Sequence, residues 1–355
     1  MVSKDLTPAA GFRLPAEWEP HEATWIGWPH NRTDWPGRFG PIPWVYAEIV
    51  RKLVPGESVR VLVESKSHEL SARRVLERAG VDAARVEFFR SPTNRGWTRD
   101  SGPTFLRRER KRPEVAVRRF GFNGWAKYDD WKKDNAIPPK VARTLGLHLL
   151  PARSPGREIV LEGGAIDVNG SGTLVTTEEC LLDEKTQVRN PGMTRRDYEK
   201  AFQELFNAGN VLWLNRGIAG DDTHGHVDDI ARFVNGRTIV LARETNASDE
   251  NYRPLEENRE RLEGMRLEDG SRIEVVSLPM PAPLFFDGRR LPASYANFYI
   301  GNAAVLVPTF NDPKDRTALA VLSALFRDRP VVGIHAVDLV WGLGTIHCMT
   351  RQQPA

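Results

Sequence analysis

The sequence predicts a mixed α/β chain built from a repeated unit, and three observations lead there. Short runs rich in β-branched and aromatic residues alternate with segments whose apolar residues recur every three to four positions. The helical segments return at intervals of roughly 55–65 residues with strands between them, the rhythm of a repeated supersecondary unit. No low-complexity segment or long linker divides the 355 residues. The rhythm of two or three strands plus one helix, repeated about five times, argues against two unrelated domains. A dinucleotide fold is disfavoured, because no Gly-x-Gly-x-x-Gly follows an early strand.

The elements follow in order. A strand over Thr24–Trp28 leads to a helix over Trp44–Leu53 and a strand over Val59–Val63. A helix over Leu70–Ala79 and strands over Val86–Phe89 and Val115–Phe120 come next, then a helix over Asn135–Leu145. The stretch RRERKR, Arg107 to Arg112, reads as a solvated hairpin tip. Strands over Thr173–Thr176 and Val211–Leu214 flank a helix over Arg195–Phe206, for which Thr194 is the expected cap. Strands over Ile230–Val234, Thr238–Leu241 and Ile273–Val276 enclose a helix over Leu255–Met265. The last group is Asn297–Ile300, Ala304–Val307, a helix over Arg316–Phe326 capped by Asp315, and Val331–Ile334. Glycine and proline fall mostly between these runs, where turns belong.

With 40% hydrophobic and 27% charged residues, the chain can bury a substantial core. The formal charge of +3 is small, and basic residues cluster only in RRERKR, so no nucleic-acid surface is expected. No window approaches a membrane span, and residues 1–20 are polar and proline-containing, unlike a secretory leader. A reducing cytoplasm is the expected compartment. There the two cysteines, Cys180 and Cys348, point to packing or chemistry before a disulfide.

Four stretches carry polar groups among turn residues. In WTRDSGPTF, Asp100 precedes a Gly-Pro turn and could equally satisfy its own turn backbone. In LEGGAIDVNG, Glu162 ends an apolar run, and the paired glycines would let backbone approach closely. In DDTHGHVDDI, His226 and Asp228 are two apart and would share one face of a strand. That pattern serves acid–base chemistry or, through Asp221, His224, His226 and Asp228, a metal. In GTIHCMTRQQPA, Cys348 has polar flanks, unlike a packing cysteine, whereas Cys180 in EECLL reads as a small buried hydrophobe. His347 adjoins Cys348, but neighbours on a strand face opposite ways, so His226 is the better partner.

These stretches, with Pro15–Trp28 (PAEWEPHEATWIGW), the TTEECLL run and the terminal IHCMTRQQP, resemble the agmatine deiminases. That group lies among the guanidine-modifying enzymes that include porphyromonas-type peptidylarginine deiminases. The resemblance runs nearly end to end. It implies a single domain over 1–355 with the pentein fold, an α/β propeller of five ββαβ-type modules around a central site. It further implies a hydrolase that converts the guanidinium of agmatine to N-carbamoylputrescine, on the route to putrescine. By position, Cys348 aligns with the nucleophile, His226 with the catalytic histidine and Glu162 with its partner. Asp100 and Asp228 align with the carboxylates that grip the guanidinium, Asp222 with a substrate contact, and Trp97 with a pocket wall. No metal or cofactor is implied. The partner is a small guanidinium cation, and association into a homo-oligomer is compatible with the family.

The residue types suit that chemistry. A guanidinium is planar and always charged, and two carboxylates can each take one edge of it. A thiolate attacks the carbon and a protonated histidine expels ammonia. Carboxylates around Cys348 should keep its thiol protonated until the cation binds. Three positions depart from the family pattern: His224 and Thr345 each stand where asparagine is usual, and Leu343 where glycine is. These changes leave the substrate tail open. Peptidylarginine and free arginine are the rival substrates, and a non-catalytic binding scaffold or a metal hydrolase the rival classes.

Overall fold

The computed structural model describes residues 11–154 and 157–355. Residues 1–10 of the polar start lie outside them. Five sheets repeat one order: an antiparallel strand pair, then a helix, then a strand parallel to the second of the pair. In chain order the second unit comprises Thr104–Arg108, Glu114–Arg119, helix Ile137–Leu145 and His148–Pro151. The third has Asp167–Val168, Thr173–Thr177, helix Arg195–Phe206 and Asn210–Leu214. The fourth has Ala231–Phe233, Thr238–Arg243, helix Tyr252–Gly264 and Glu274–Pro279. The fifth has Tyr299–Ile300, Val305–Thr309, helix Lys314–Leu325 and Val331–His335. The first is assembled from both ends of the chain. The C-terminal strand Thr350–Pro354 pairs antiparallel with His21–Gly27, which runs parallel to Ser58–Val63 across helix Ile42–Leu53. Val86–Arg90 extends that sheet.

Apolar periodicity explains the layers. Ile49, Val50 and Leu53 face Val59 and Val61, and the same buried cluster takes in Val305, Leu306 and Val307 of the fifth unit. First and last units therefore share one core. Helix Arg195–Phe206 begins with a reciprocal capping box between Thr194 and Asp197. Asp315 does not cap the last helix. Pro313 holds that position, and Asp315 sits inside the first turn, accepting from the backbone of Phe310 and Asp312 and from the Tyr295 hydroxyl. Glu109 to Arg112 of the RRERKR stretch lie at the tip of the hairpin between Thr104–Arg108 and Glu114–Arg119, whereas Arg107 and Arg108 are paired within its first strand. Among the described residues no helix is long and apolar enough to cross a membrane.

Candidate active site

The segment just before the first strand of each unit is a tight turn, and all five turns converge. Thr98–Ser101 carries Asp100, Gly163–Ala165 follows Glu162, and Val227–Asp229 carries Asp228 behind His226. Asn297 precedes the fifth unit, and Ile346–Met349 carries Cys348. A repeated unit thus brings five remote stretches to one place. The point where they meet is marked by Gly164. A Cβ there would lie 2.6 Å from His226 Nδ1 and 2.9 Å from both Asp100 Oδ1 and Asp228 Oδ2. Only a residue without a side chain leaves that space free.

His226 lies between two acids, 3.9 Å from Asp100 Oδ1 and 3.9 Å from Glu162 Oε2. Burial works against its charge, but Asp100, Cys180 and Glu162 outweigh burial and raise its pKa well above the ordinary value. The flanking acids thus favour the protonated ring. Burial raises Glu162, yet Arg189 and His226 pull it down to about 2. Arg189 Nε donates to Glu162 Oε1 at 3.2 Å, with both side chains fully buried. Asp100 accepts from Trp125 Nε1 at 2.9 Å and from the Gly164 N–H at 3.0 Å, and burial raises it. Asp228 Oδ1, Glu162 Oε2 and both His226 ring nitrogens are buried with no hydrogen-bond partner among the described residues. Unmatched groups of this kind are costly unless a ligand or water completes them.

Cys348 Sγ lies 3.9 Å from Asp228 Oδ2 and accepts from Asn297 Nδ2 at 3.2 Å. Burial, then Asp228, Asp229 and Asp100, push its thiol well above the usual range, the direction expected of a thiol surrounded by acids. Asn297 is held in turn by the Thr345 hydroxyl, 2.7 Å from Oδ1, and by Asp229, 2.9 Å from Nδ2. Thr345 thus orients the amide that touches the sulfur.

Two local expectations are corrected. His226 and Asp228 are not on a strand. His226 immediately precedes a 3-10 turn and Asp228 lies within it, so strand alternation does not relate them. Cys348 is on a short helix, and His347 is turned away because it is occupied: its Nδ1 lies 2.6 Å from Asp228 Oδ2 and its Nε2 2.9 Å from Glu17 Oε2. His347 and Arg232 both meet Glu17, and His347 links that buried acid to Asp228. The four groups considered as metal ligands do not gather. Asp221 accepts from the backbone of Thr223, Gly225 and His226, and His224 turns outward to Asp183 at 2.8 Å. Among the described residues the group with ligand spacing is instead Glu162, Cys180 and His226, but the Arg189 guanidinium against Glu162 opposes a further cation there. Cys180 is buried, as a packing cysteine should be, and also lines the back of the histidine.

The departures from the family pattern have backbone reasons. His224 has φ 64° and Leu343 φ 69°. Asparagine and histidine tolerate the left-handed region, so His224 fits where asparagine is usual. Leucine does not, and carries a penalty of roughly 1–2 kcal/mol there. Leu343 lines a cavity of about 280 Å³ that leads from Cys348 and Asp100 past Trp97 and Trp125 to Asp222. Trp97 is buried against Trp35 and forms one wall. Asp222 lies at the outer end, with Tyr128 and Arg289. Glu17, Trp125, Arg189 and Asn297 were not singled out by sequence. Glu17 lies inside the PAEWEPHEATW string, but nothing in Arg189 or Asn297 distinguishes them from surface or strand residues.

The chain is 36% identical over 388 residues to an agmatine deiminase of Medicago truncatula, covering all of both chains. It is 33% identical over 379 residues to one of Pseudomonas aeruginosa, covering 100% of this chain and 99% of the relative. A solved agmatine deiminase of Enterococcus faecalis superposes with a TM-score of 0.89 at 29% identity, covering 100% of this chain and 98% of that one. The mixed α/β fold is therefore shared with these enzymes. With its residues 13–354 matched by the family's own pattern, the chain belongs to the Porphyromonas-type peptidyl-arginine deiminase family.

Proposed function

We propose that this protein is an agmatine deiminase, hydrolysing agmatine and water to N-carbamoylputrescine and ammonia, a step toward putrescine. The observation that carries the reading is the convergence on Gly164 of His226, Asp100 and Asp228, with Cys348 against Asp228. Asp100 and Asp228 grip the guanidinium edges, and a cation between them offsets their mutual repulsion. The incoming charge favours the Cys348 thiolate, whose proton goes to solvent. The sulfur attacks the guanidinium carbon. Protonated His226, held by Glu162, gives its proton to the departing nitrogen, and ammonia leaves an amidino-thioether on Cys348. His226 is then neutral and takes a proton from water, which cleaves the thioether and releases the ureido product. Trp97 walls the alkyl chain, and Asp222 stands where the far end of the substrate would reach. In this reading the whole chain is one domain, its five units arranged as a pentein propeller about the site.

Acid-quenched mass spectrometry during turnover should find the amidino group on Cys348, with ammonia and ureido product formed in equal amounts. Urea and putrescine as products, or full activity in Cys348→Ser, would overturn the reading. Free or peptidyl arginine is the second reading; the two cations that stand on Asp222 suit the carboxylate of free arginine.

A further inference from the structure

Asp222, at the mouth of the cavity, is already saturated. Its Oδ1 accepts from Lys127 Nζ at 2.7 Å and from Arg289 at 2.6 Å, and its Oδ2 from the Tyr128 hydroxyl at 2.6 Å. One carboxylate thus carries two cations, and the cluster has a net positive charge. The other cation at the mouth, Arg95, is balanced by Asp34 and by Asp130 at 3.1 Å.

Arg289 is placed by a small hairpin, Phe285–Phe286 with Arg289–Arg290. Asp287 and Gly288 form its two-residue turn, both left-handed at φ 50° and 72°. The hairpin is fixed on two sides. Phe286 packs on Trp341, ring centres 3.8 Å apart, and Arg290 pairs with Asp249 at 2.9 Å. Neighbours on a strand point opposite ways, so anchoring Arg290 on the buried Asp249 leaves Arg289 on the other side, against Asp222 at the mouth. The Arg289 side chain itself is 50% exposed and that of Lys127 39%, so either head group can leave Asp222 without unpacking the core.

We propose that Arg289, assisted by Lys127, determines which charge the tail of the guanidine substrate carries. An ω-guanidino amine brings an ammonium group to Asp222 and must displace, or stand beside, two cations. An ω-guanidino acid brings a carboxylate that those same cations can bind directly. Arg289 therefore weakens selection for amine tails and admits acid tails. This inference rests on the guanidine-hydrolysing reading and specifies its substrate class.

The test compares agmatine, 4-guanidinobutyrate and uncharged butylguanidine on the wild type, Arg289→Gln and Lys127→Gln. One half-exposed unit charge at about 5 Å is worth roughly tenfold in binding. The amine should gain and the acid should lose by about that factor in each variant, mainly through KM, so the ratio of kcat/KM for the amine over the acid should rise by about a hundredfold, with butylguanidine little changed. A ratio that stays within about twofold, or three substrates that change by one common factor, would overturn the inference, because a merely structural role moves all tails alike. Calorimetry with Cys348→Ser separates the two readings. Absence of both turnover and binding for all three guanidines would refute the guanidine reading itself, whereas normal binding with an unmoved ratio refutes only the role of Arg289.

Discussion

Replacing Asp228 with Asn should abolish deimination yet make Cys348 react faster with a neutral alkylating reagent. Asp228 Oδ2 is 3.9 Å from the sulfur. Two unit charges at that distance repel by about 4 kcal/mol at an effective dielectric of 20, and by about 1 kcal/mol in water. The same oxygen is hydrogen-bonded to His347 at 2.6 Å, which spreads its charge, so the lower end applies. The sign is fixed by the chemistry. An anion beside a thiol disfavours the thiolate, so removing the anion increases the thiolate fraction at any given pH. Iodoacetamide rates, corrected with Cys348→Ser for any reaction at Cys180, should be at least roughly fivefold faster in the variant near about pH 8. The wild-type rate should still be climbing at that pH, because burial and three carboxylates raise the thiol. A variant alkylated no faster than wild type refutes the argument. So does a wild-type midpoint below about pH 7, the range of activated cysteines.

Arg189→Met should destabilise the fold by about 3–5 kcal/mol at neutral pH, because it strands the buried Glu162 carboxylate; urea unfolding measures it. The pH dependence has a definite sign: Glu162 is depressed from 4.5 to about 2, so its stabilisation is complete above pH 4.5 and is lost as pH falls through 2. The variant should show a shallower loss of stability over that window in acid titration. Gly164→Ala should reduce kcat/KM by more than about a thousandfold with the fold retained, since its methyl would fill the space between His226, Asp100 and Asp228; circular dichroism beside kinetics checks both. Leu343→Gly should stabilise the protein by up to about 1 kcal/mol in urea unfolding, by releasing a left-handed leucine.

How much was legible in the sequence differs by level. The helix over Arg195–Phe206 was fixed to the residue, because Thr194 and Asp197 close a local capping box and the apolar spacing is unambiguous. The twelve strands read from β-branched runs all appear. Thr104–Arg108 and Thr350–Pro354 escaped, because charged and polar residues break their pattern and only their cross-strand partners make them strands. The local geometry around His226 and Cys348 was misjudged for a related reason. A turn of three or four residues has no period to detect, and strand alternation was the wrong template.

The sequence by itself determined the repeated α/β rhythm, the chemically loaded strings and the residue types fit for a guanidinium, because those depend on composition, local spacing and resemblance. Only the tertiary structure decided how they meet. Asp100, Gly164, His226, Asp228, Asn297 and Cys348 come from five units, and the closing of the first unit by the chain's last strand brings Cys348 among the others. It also decided that His347 belongs to Asp228 and Glu17, that Arg189 holds Glu162, and that two cations stand on Asp222. Such pairings join residues from 27 to 330 positions apart. Burial sets their strength, and burial is a property of the folded chain that no local stretch of sequence contains.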